Sequence, residues 1–276
     1  MSTKSSIKAT TLIMAGSRKG PDNPVALLQN KSHKCLVEVD GVVMLQRVVD
    51  NLVDCENVGR IYVSIEDEDL MRTVPRLAEL LDEGRIEYVE SKGNLSDSVL
   101  HAVSQMQDPL PLVITTGDNA LHTTELNQSF VEQFLAAEGD VSIGWSSADV
   151  VLQDFPDVGL AFHWLKDGGY SSCNLYGLRN EQSLSAVKVF EGGGQFGKRH
   201  MRILKAFGIT PFLVYKLKLA TLDQLMARVG RNLKVSMDAI QVDFSCGPID
   251  VDNEHLFNIT EKVLIERRLA AESVGA

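Results

Sequence analysis

A single α/β domain over residues 1–276, with a mostly parallel sheet and a smaller inserted region of hairpin and helices near 155–235, is predicted by three features of the sequence. Apolar runs of strand length alternate with amphipathic runs of helix length from residue 8 to residue 137. Their spacing suits βαβ units. Past residue 145 the pattern changes to paired extended segments around a glycine turn.

The first strand is expected at about 8–15, followed by a polar loop with Gly, Pro and Asn that runs through His33, and by an amphipathic helix near 44–54. IYVSI (61–65) then precedes a helix at 67–83, IEYVE (86–90) a helix at 95–107, and LVITT (112–116) a helix at 123–137. VSIGW (141–145) is a further strand. Residues 158–165 and 170–178 read as two strands joined by a turn at Asp167-Gly168-Gly169. A break at Gly192-Gly193-Gly194 leads into helical segments up to about 229. LKVSM and AIQVDF are two more strand candidates, and a terminal helix is expected at 253–272. The chain shows no internal repeat and no linker.

With 44% apolar and 23% charged residues, the 276-residue chain has the composition of an ordinary globular protein. A net charge of -10 disfavours a nucleic-acid partner, because no strong basic patch offsets it. Polyanionic small molecules remain compatible, since one cleft can carry its own field. Cys35, Cys55, Cys173 and Cys246 are scattered, with no Cys-x-x-Cys pair, which argues against zinc or a disulfide framework. No apolar run is long enough for a signal peptide or membrane span, so a cytoplasmic location is expected.

Leu12-Ile13-Met14-Ala15-Gly16-Ser17-Arg18 puts small residues at the carboxyl end of a buried strand, where open α/β sheets bind ligands. Gly16 lets backbone N–H groups approach a phosphate, and Arg18 can meet it with a two-pronged guanidinium. Taken alone, this segment is more readily a turn glycine before solvated basic residues. His33-Lys34-Cys35-Leu36 and Gly41-Val42-Val43-Met44-Leu45 follow, however.

Residues 12–18, 34–36 and 41–48 together resemble the MobA-like nucleotidyltransferases, which carry a Leu-x-Ala-Gly-x-Gly-x-Arg loop, Pro-Lys-x-Leu, and a Gly-x-x-Leu/Met-Leu helix. Two departures stand out: the second loop glycine is missing, so Arg18 arrives early, and His33 replaces the proline. The resemblance implies a three-layer Rossmann-like (GT-A-like) sheet and magnesium-dependent transfer of a nucleoside monophosphate from an NTP, CTP or GTP being favoured. It further implies that Ala15, Gly16, Ser17, Arg18 and Lys34 hold the nucleotide, with Arg18, Lys34 and Asp118 catalytic.

Asp118 ends the apolar strand 112–116 and matches the family's principal metal ligand; the alternative is a helix cap, a role Thr123 or Thr124 fills equally well. Pro248-Ile249-Asp250-Val251-Asp252 resembles the family's closing Asp-x-Asp motif, and alternation turns both carboxylates to one side. Both are metal candidates, with Asp250 the favoured ligand and Asp252 the favoured cap of the last helix. Gly93, Asn94 and Ser96 match a turn that holds base and ribose, while Asn94 or Ser96 serves equally as an N-cap. Asn174 and the basic cluster Lys198, Arg199, His200 and Arg202 are candidates for a small phosphorylated acceptor; a solvated helix end is the alternative for the cluster. The apolar run 206–222 is expected in the core or at an interface rather than on a membrane, with a lipid-linked acceptor left open, and a homodimer is compatible with the sequence. Two rival functions are a GT-A-like glycosyltransferase, against which the missing second Asp after Asp118 counts, and a catalytically silent nucleotide sensor.

Overall fold

The structure, a computed structural model, describes residues 7–17, 19–190 and 208–274. Strand β1 (Ala9–Met14) is buried along its whole length, which its uninterrupted apolar and threonine content allows only at the centre of a sheet covered on both faces. It lies between β4 (Val58–Ile65) and β6 (Leu112–Thr116), both parallel to it, and β5 (Glu87–Glu90) extends the sheet beyond β4. On the other side the order continues from β6 through β9 (Gly168–Leu178) to β7 (Val141–Ser147) and β10 (Met237–Gln241). Only β9 in that path is antiparallel to its neighbours. The short β8 (His163–Leu165) completes its hairpin, and β2 (Glu38–Val39) pairs with β3 (Val42–Val43) in a separate ribbon. Eight strands, mostly parallel and flanked by helices, agree with the predicted class.

Two layers of helices bury the two faces. On one, the helix Met44–Val53 presents Met44, Leu45, Val48, Val49 and Leu52 in a single stripe, and packs with Phe130 and Phe134 of the helix Thr124–Ala136 and Leu256 and Leu264 of the terminal helix Glu254–Val274. On the other, Val99 and Ala102 of the helix Leu95–Gln105 lie against Leu12, Met14, Tyr62 and Ile114. A third, smaller cluster joins the β8–β9 hairpin to the helix Leu222–Leu233, which opens with a reciprocal Thr221/Gln224 cap.

Three expected elements differ. The helix expected at 67–83 is two, Glu68–Arg72 and Pro75–Asp82, because Pro75 removes a donor and drives Val74 into an extended conformation. The strand expected at 158–165 shortens to β8, with Gly159 turning at φ 71°. LKVSM and AIQVDF are not two strands: Leu233 ends a helix, Lys234 takes a left-handed φ of 60°, and β10 alone follows.

Candidate active site

Strand register sets the site out. Met14 is level with Ser64 of β4 and Thr116 of β6, and Ser64 is level with Val89 of β5. Two residues further on, just past the strand ends, Ser91, Glu66, Gly16 and Asp118 gather in a row of loop residues at the carboxyl edge. A cavity of about 1280 Å³ opens over this row. A smaller one of about 320 Å³ lies by Lys8, Glu56 and Arg85, near the amino ends of β1 and β4 and away from these groups.

Gly16 is required where it stands: a Cβ would meet Ser91 Oγ at 3.0 Å and Glu66 Oε1 at 3.2 Å. Ala15 is buried, and its N–H donates to Ser64 O at 2.8 Å. The Ser17 N–H donates to Glu66 Oε1 at 2.6 Å, and His33 Nε2 lies 3.1 Å from Glu66 Oε2. The residue that replaces the family proline thus pairs with the carboxylate after β4 that also holds the first loop's Ser17 N–H. Burial alone would raise the Glu66 pKa, but His33 and the Ser17 N–H reverse it and hold it below the usual carboxylate range. Arg18 lies outside the described residues.

Asp118 follows a turn in which Gly117 packs so closely that a Cβ would meet Leu45 Cδ1 at 3.2 Å and Ala15 Cβ at 3.3 Å. The Thr116 hydroxyl donates to Asp118 Oδ1 at 2.5 Å, fixing the carboxylate. Asp118 caps no helix, since Thr123 Oγ1 accepts from Leu126 N. The segment after β10 folds back over the strand ends, tied by Ser146 Oγ to Phe244 O at 2.9 Å and by His122 Nε2 to Gly247 O at 2.8 Å. Burial pushes the His122 pKa down to about 4. Val251 N then donates to Asp118 O at 3.1 Å, which sets Asp250 and Asp252 on either side of Asp118. Among the described residues, Asp118, Asp250 and Asp252 form the one group of metal-ligating side chains whose ligand atoms all lie within 4.8 Å of one another. Asp252 is not the cap of the last helix; Asn253 Oδ1 accepts from Leu256 N at 3.0 Å and fills that role.

Lys34 enters the same cluster. Its Nζ forms ion pairs with Asp118 and, at 2.9 Å, with Asp252, a residue 218 positions away in sequence. Burial would lower the ammonium's pKa, yet Asp118, Asp252 and Asp250 outweigh it and hold it above its usual range. Burial likewise raises the Asp118 pKa, and Lys34 with Thr116 reverses this to a net lowering. At Asp250 Lys34 opposes the rise without reversing it: burial first, then the charges of Asp118 and Asp252, push its pKa up to about 7. One ammonium among three carboxylates leaves uncompensated negative charge, as the donor set of a divalent-cation site does.

Asn174 occupies the bend of β9, with φ 52°, where the pairing with β7 shifts register between Ile143 and Trp145. Asparagine tolerates this left-handed conformation better than most residues. Its Nδ2 donates to Asn119 Oδ1 at 3.3 Å and Asp250 Oδ2 at 3.4 Å, so it reaches the cluster. Gly93 and Asn94 line the cavity, and Asn94 also caps its helix through Asp97 N. Ser96 is fully buried and does not line the cavity. Lys198, Arg199, His200 and Arg202 lie outside the described residues. Thr116 and Glu66 escaped sequence reasoning; each stands at a strand end level with a residue already singled out, but only register reveals that.

A doubly covered, mostly parallel sheet with a glycine loop, a largely buried lysine and three carboxylates at its carboxyl edge has the ligand-binding edge of the Rossmann-like class. The comparisons with known proteins specify it further. Residues 28–231, well over half of the chain, match the MobA-like NTP transferase domain, and the chain belongs to that family of nucleotidyltransferases. The fold is similar to a hypothetical transferase from Thermus thermophilus at 18% identity, covering 91% of this chain and 100% of that one, with a TM-score of 0.72. It is similar to a CMP:2-keto-3-deoxy-manno-octonic acid synthetase complexed with CTP (12% identity, 94% and 99% covered, TM-score 0.57). It is similar also to a 4-diphosphocytidyl-2C-methyl-D-erythritol synthase from Anaerococcus prevotii (11% identity, 94% and 99% covered, TM-score 0.56). No curated protein matches the sequence. Among the described residues, no helix is long and apolar enough to cross a membrane.

Proposed function

We propose that this chain transfers a nucleoside monophosphate from an NTP to a small phosphorylated acceptor and releases pyrophosphate, with magnesium held by Asp118, Asp250 and Asp252. The observation that carries the reading is the convergence of Lys34 with these three carboxylates in one cavity beside the Gly16 loop. The donors suit the ion: they are all carboxylate oxygens, and burial with the charges of Asp118 and Asp252 makes Asp250 keep a proton until near pH 7, a cost that a bound cation relieves. A bound divalent cation supplies Lewis-acid stabilisation of charge on the α-phosphate.

The protein's own groups do the rest by position and charge. The loop Ala15-Gly16-Ser17 lies beside the triphosphate with the exposed Gly16 backbone turned to it, since the Ala15 and Ser17 N–H groups are held by Ser64 O and Glu66, and Arg18 joins it as the family motif implies. Lys34 neutralises charge that gathers on the α-phosphate and departing pyrophosphate. Thr116 holds Asp118 still, and Gly117 lets it sit close to the first loop. Asn174 and the basic residues Lys198, Arg199 and Arg202 orient the acceptor. An acceptor phosphate oxygen attacks the α-phosphorus in line; the new P–O bond forms as the bond to the bridging oxygen breaks, and its electron pair leaves on pyrophosphate. The attacking oxygen is already ionised near neutral pH, so no general base is needed.

Pyrophosphate release tests the proposal, measured across the four NTPs with magnesium and a panel of phosphorylated acceptors. Release that depends on one acceptor, and that falls at least ~100-fold in Asp118→Ala with its fold intact, is the expected result. NTP binding without turnover under any acceptor replaces it with the sensor reading. A wild-type protein that binds no NTP overturns it altogether.

A further inference from the structure

The inserted region carries a surface that the transfer chemistry does not use. Its described stretch 208–222 carries Lys216 and Lys218 and no Asp or Glu, in a chain whose net charge is -10. This apolar stretch was expected in the core or at an interface, and part of it is buried: Pro211, Ala220 and Leu222 face inward. Ile209, Leu213, Leu217 and Leu219 instead stand 64%, 46%, 61% and 61% exposed. The first three recur at every fourth position along the helix Ile209–Lys216 and its cap, so they lie along one side. Lys216 and Lys218 are exposed beside them.

Such a grouping of large apolar side chains marks a contact site rather than ordinary surface. Charge decides what covers it. A two-fold dimer through this face would bring the four ammonium groups of two copies into one interface with no Asp or Glu from residues 208–222 to offset them. An anionic bilayer matches both components: headgroups take the lysines while the leucines reach the acyl boundary. The acidic remainder of the molecule is repelled by the same bilayer, which orients the basic face towards it, and beyond ~10 Å that repulsion is screened. We propose that the face formed by Ile209, Leu213, Leu217 and Leu219, with Lys216 and Lys218, docks the protein on an anionic lipid surface. This inference stands independently of the acceptor's identity.

Co-sedimentation of the full chain with vesicles tests it, using phosphatidylcholine alone and phosphatidylcholine mixed with phosphatidylglycerol. The wild type should partition onto the mixed vesicles and stay in the supernatant with the neutral ones. The triple variant L213S/L217S/L219S and the double variant K216S/K218S should each bind the mixed vesicles at least about tenfold more weakly. All substituted side chains are exposed, and unchanged thermal melts show that the variants remain folded. Failure of the wild type to sediment with mixed vesicles overturns the proposal, as does binding that survives the leucine substitutions. A concentration-dependent dimer in vesicle-free solution that the triple variant dissociates also overturns it, by assigning the face to a second copy.

Discussion

Replacing Asp250 by asparagine should stabilise the metal-free protein above neutral pH while removing its response to magnesium. The Asp250 pKa rises from 3.8 to about 7 on folding, chiefly through burial and then through Asp118 and Asp252. Between those two values the folded state binds a proton that the unfolded state has released, so stability falls as pH rises and the full penalty is reached above about pH 7. At ~1.4 kcal/mol per pH unit, that interval corresponds to a penalty of about 4 kcal/mol. The substituted amide carries no charge to strand, and its oxygen can still accept from Asn174 Nδ2. In EDTA, Asp250→Asn should match the wild type near pH 4 and exceed it at pH 8 by up to about 4 kcal/mol, a rise in Tm on the order of 10 °C. Magnesium should recover the difference for the wild type at pH 8 and leave the variant unmoved. Thermal and urea unfolding at the two pH values measure both. A variant less stable than the wild type at pH 8 in EDTA, or a gap that does not change with pH, would refute the account of the cluster.

Lys34→Met removes the ammonium that pairs with both Asp118 and Asp252 and should cost ~3–5 kcal/mol in EDTA at pH 8, with a smaller loss at pH 5, as read by urea denaturation. Gly117→Ala inserts a methyl between Leu45, Ala15 and Cys35; unfolding should show a loss of ~1–3 kcal/mol, and initial rates should show kcat falling more than the NTP KM rises, because Asp118 is displaced. Asn174→Ala should cost ~1–2 kcal/mol for its left-handed backbone, whereas Asn174→Gly should restore that stability without restoring the acceptor KM. Equal kinetics for wild type and Asn174→Gly would remove Asn174 from acceptor binding.

Most of the sheet was legible in the sequence because parallel strands buried on both faces must be uninterrupted apolar runs. β1, β6 and the segments around them carry that signature directly. The helix break at Pro75 was equally present in the letters and went unused. The antiparallel β9 was readable as a hairpin strand, but nothing local says that it enters the sheet between β6 and β7. That placement follows from pairing with Ile114 on one side and Ile143 on the other, which is a contact property.

The candidate site divides in the same way. By itself the sequence determined the chemistry that is present: the Ala15-Gly16 turn, Lys34, Asp118 and the Asp250-x-Asp252 pair follow from residue type and order along the chain. Tertiary structure alone decided how those groups bear on one another. Register levels Met14, Ser64, Val89 and Thr116 across four strands, and the loops that follow bring Gly16, Glu66, Ser91 and Asp118 to one edge. The return of the chain after β10 brings Asp250 and Asp252 onto Asp118, and the turn after His33 brings Lys34 among them. The choice of cap for the last helix, Asn253 rather than Asp252, rests on one hydrogen bond. The charge state of Asp250 and the exposure of Leu213 and Leu217 depend on burial and on which charges stand within a few ångströms. Those quantities are fixed by atoms far apart in sequence, which is why no local pattern could state them.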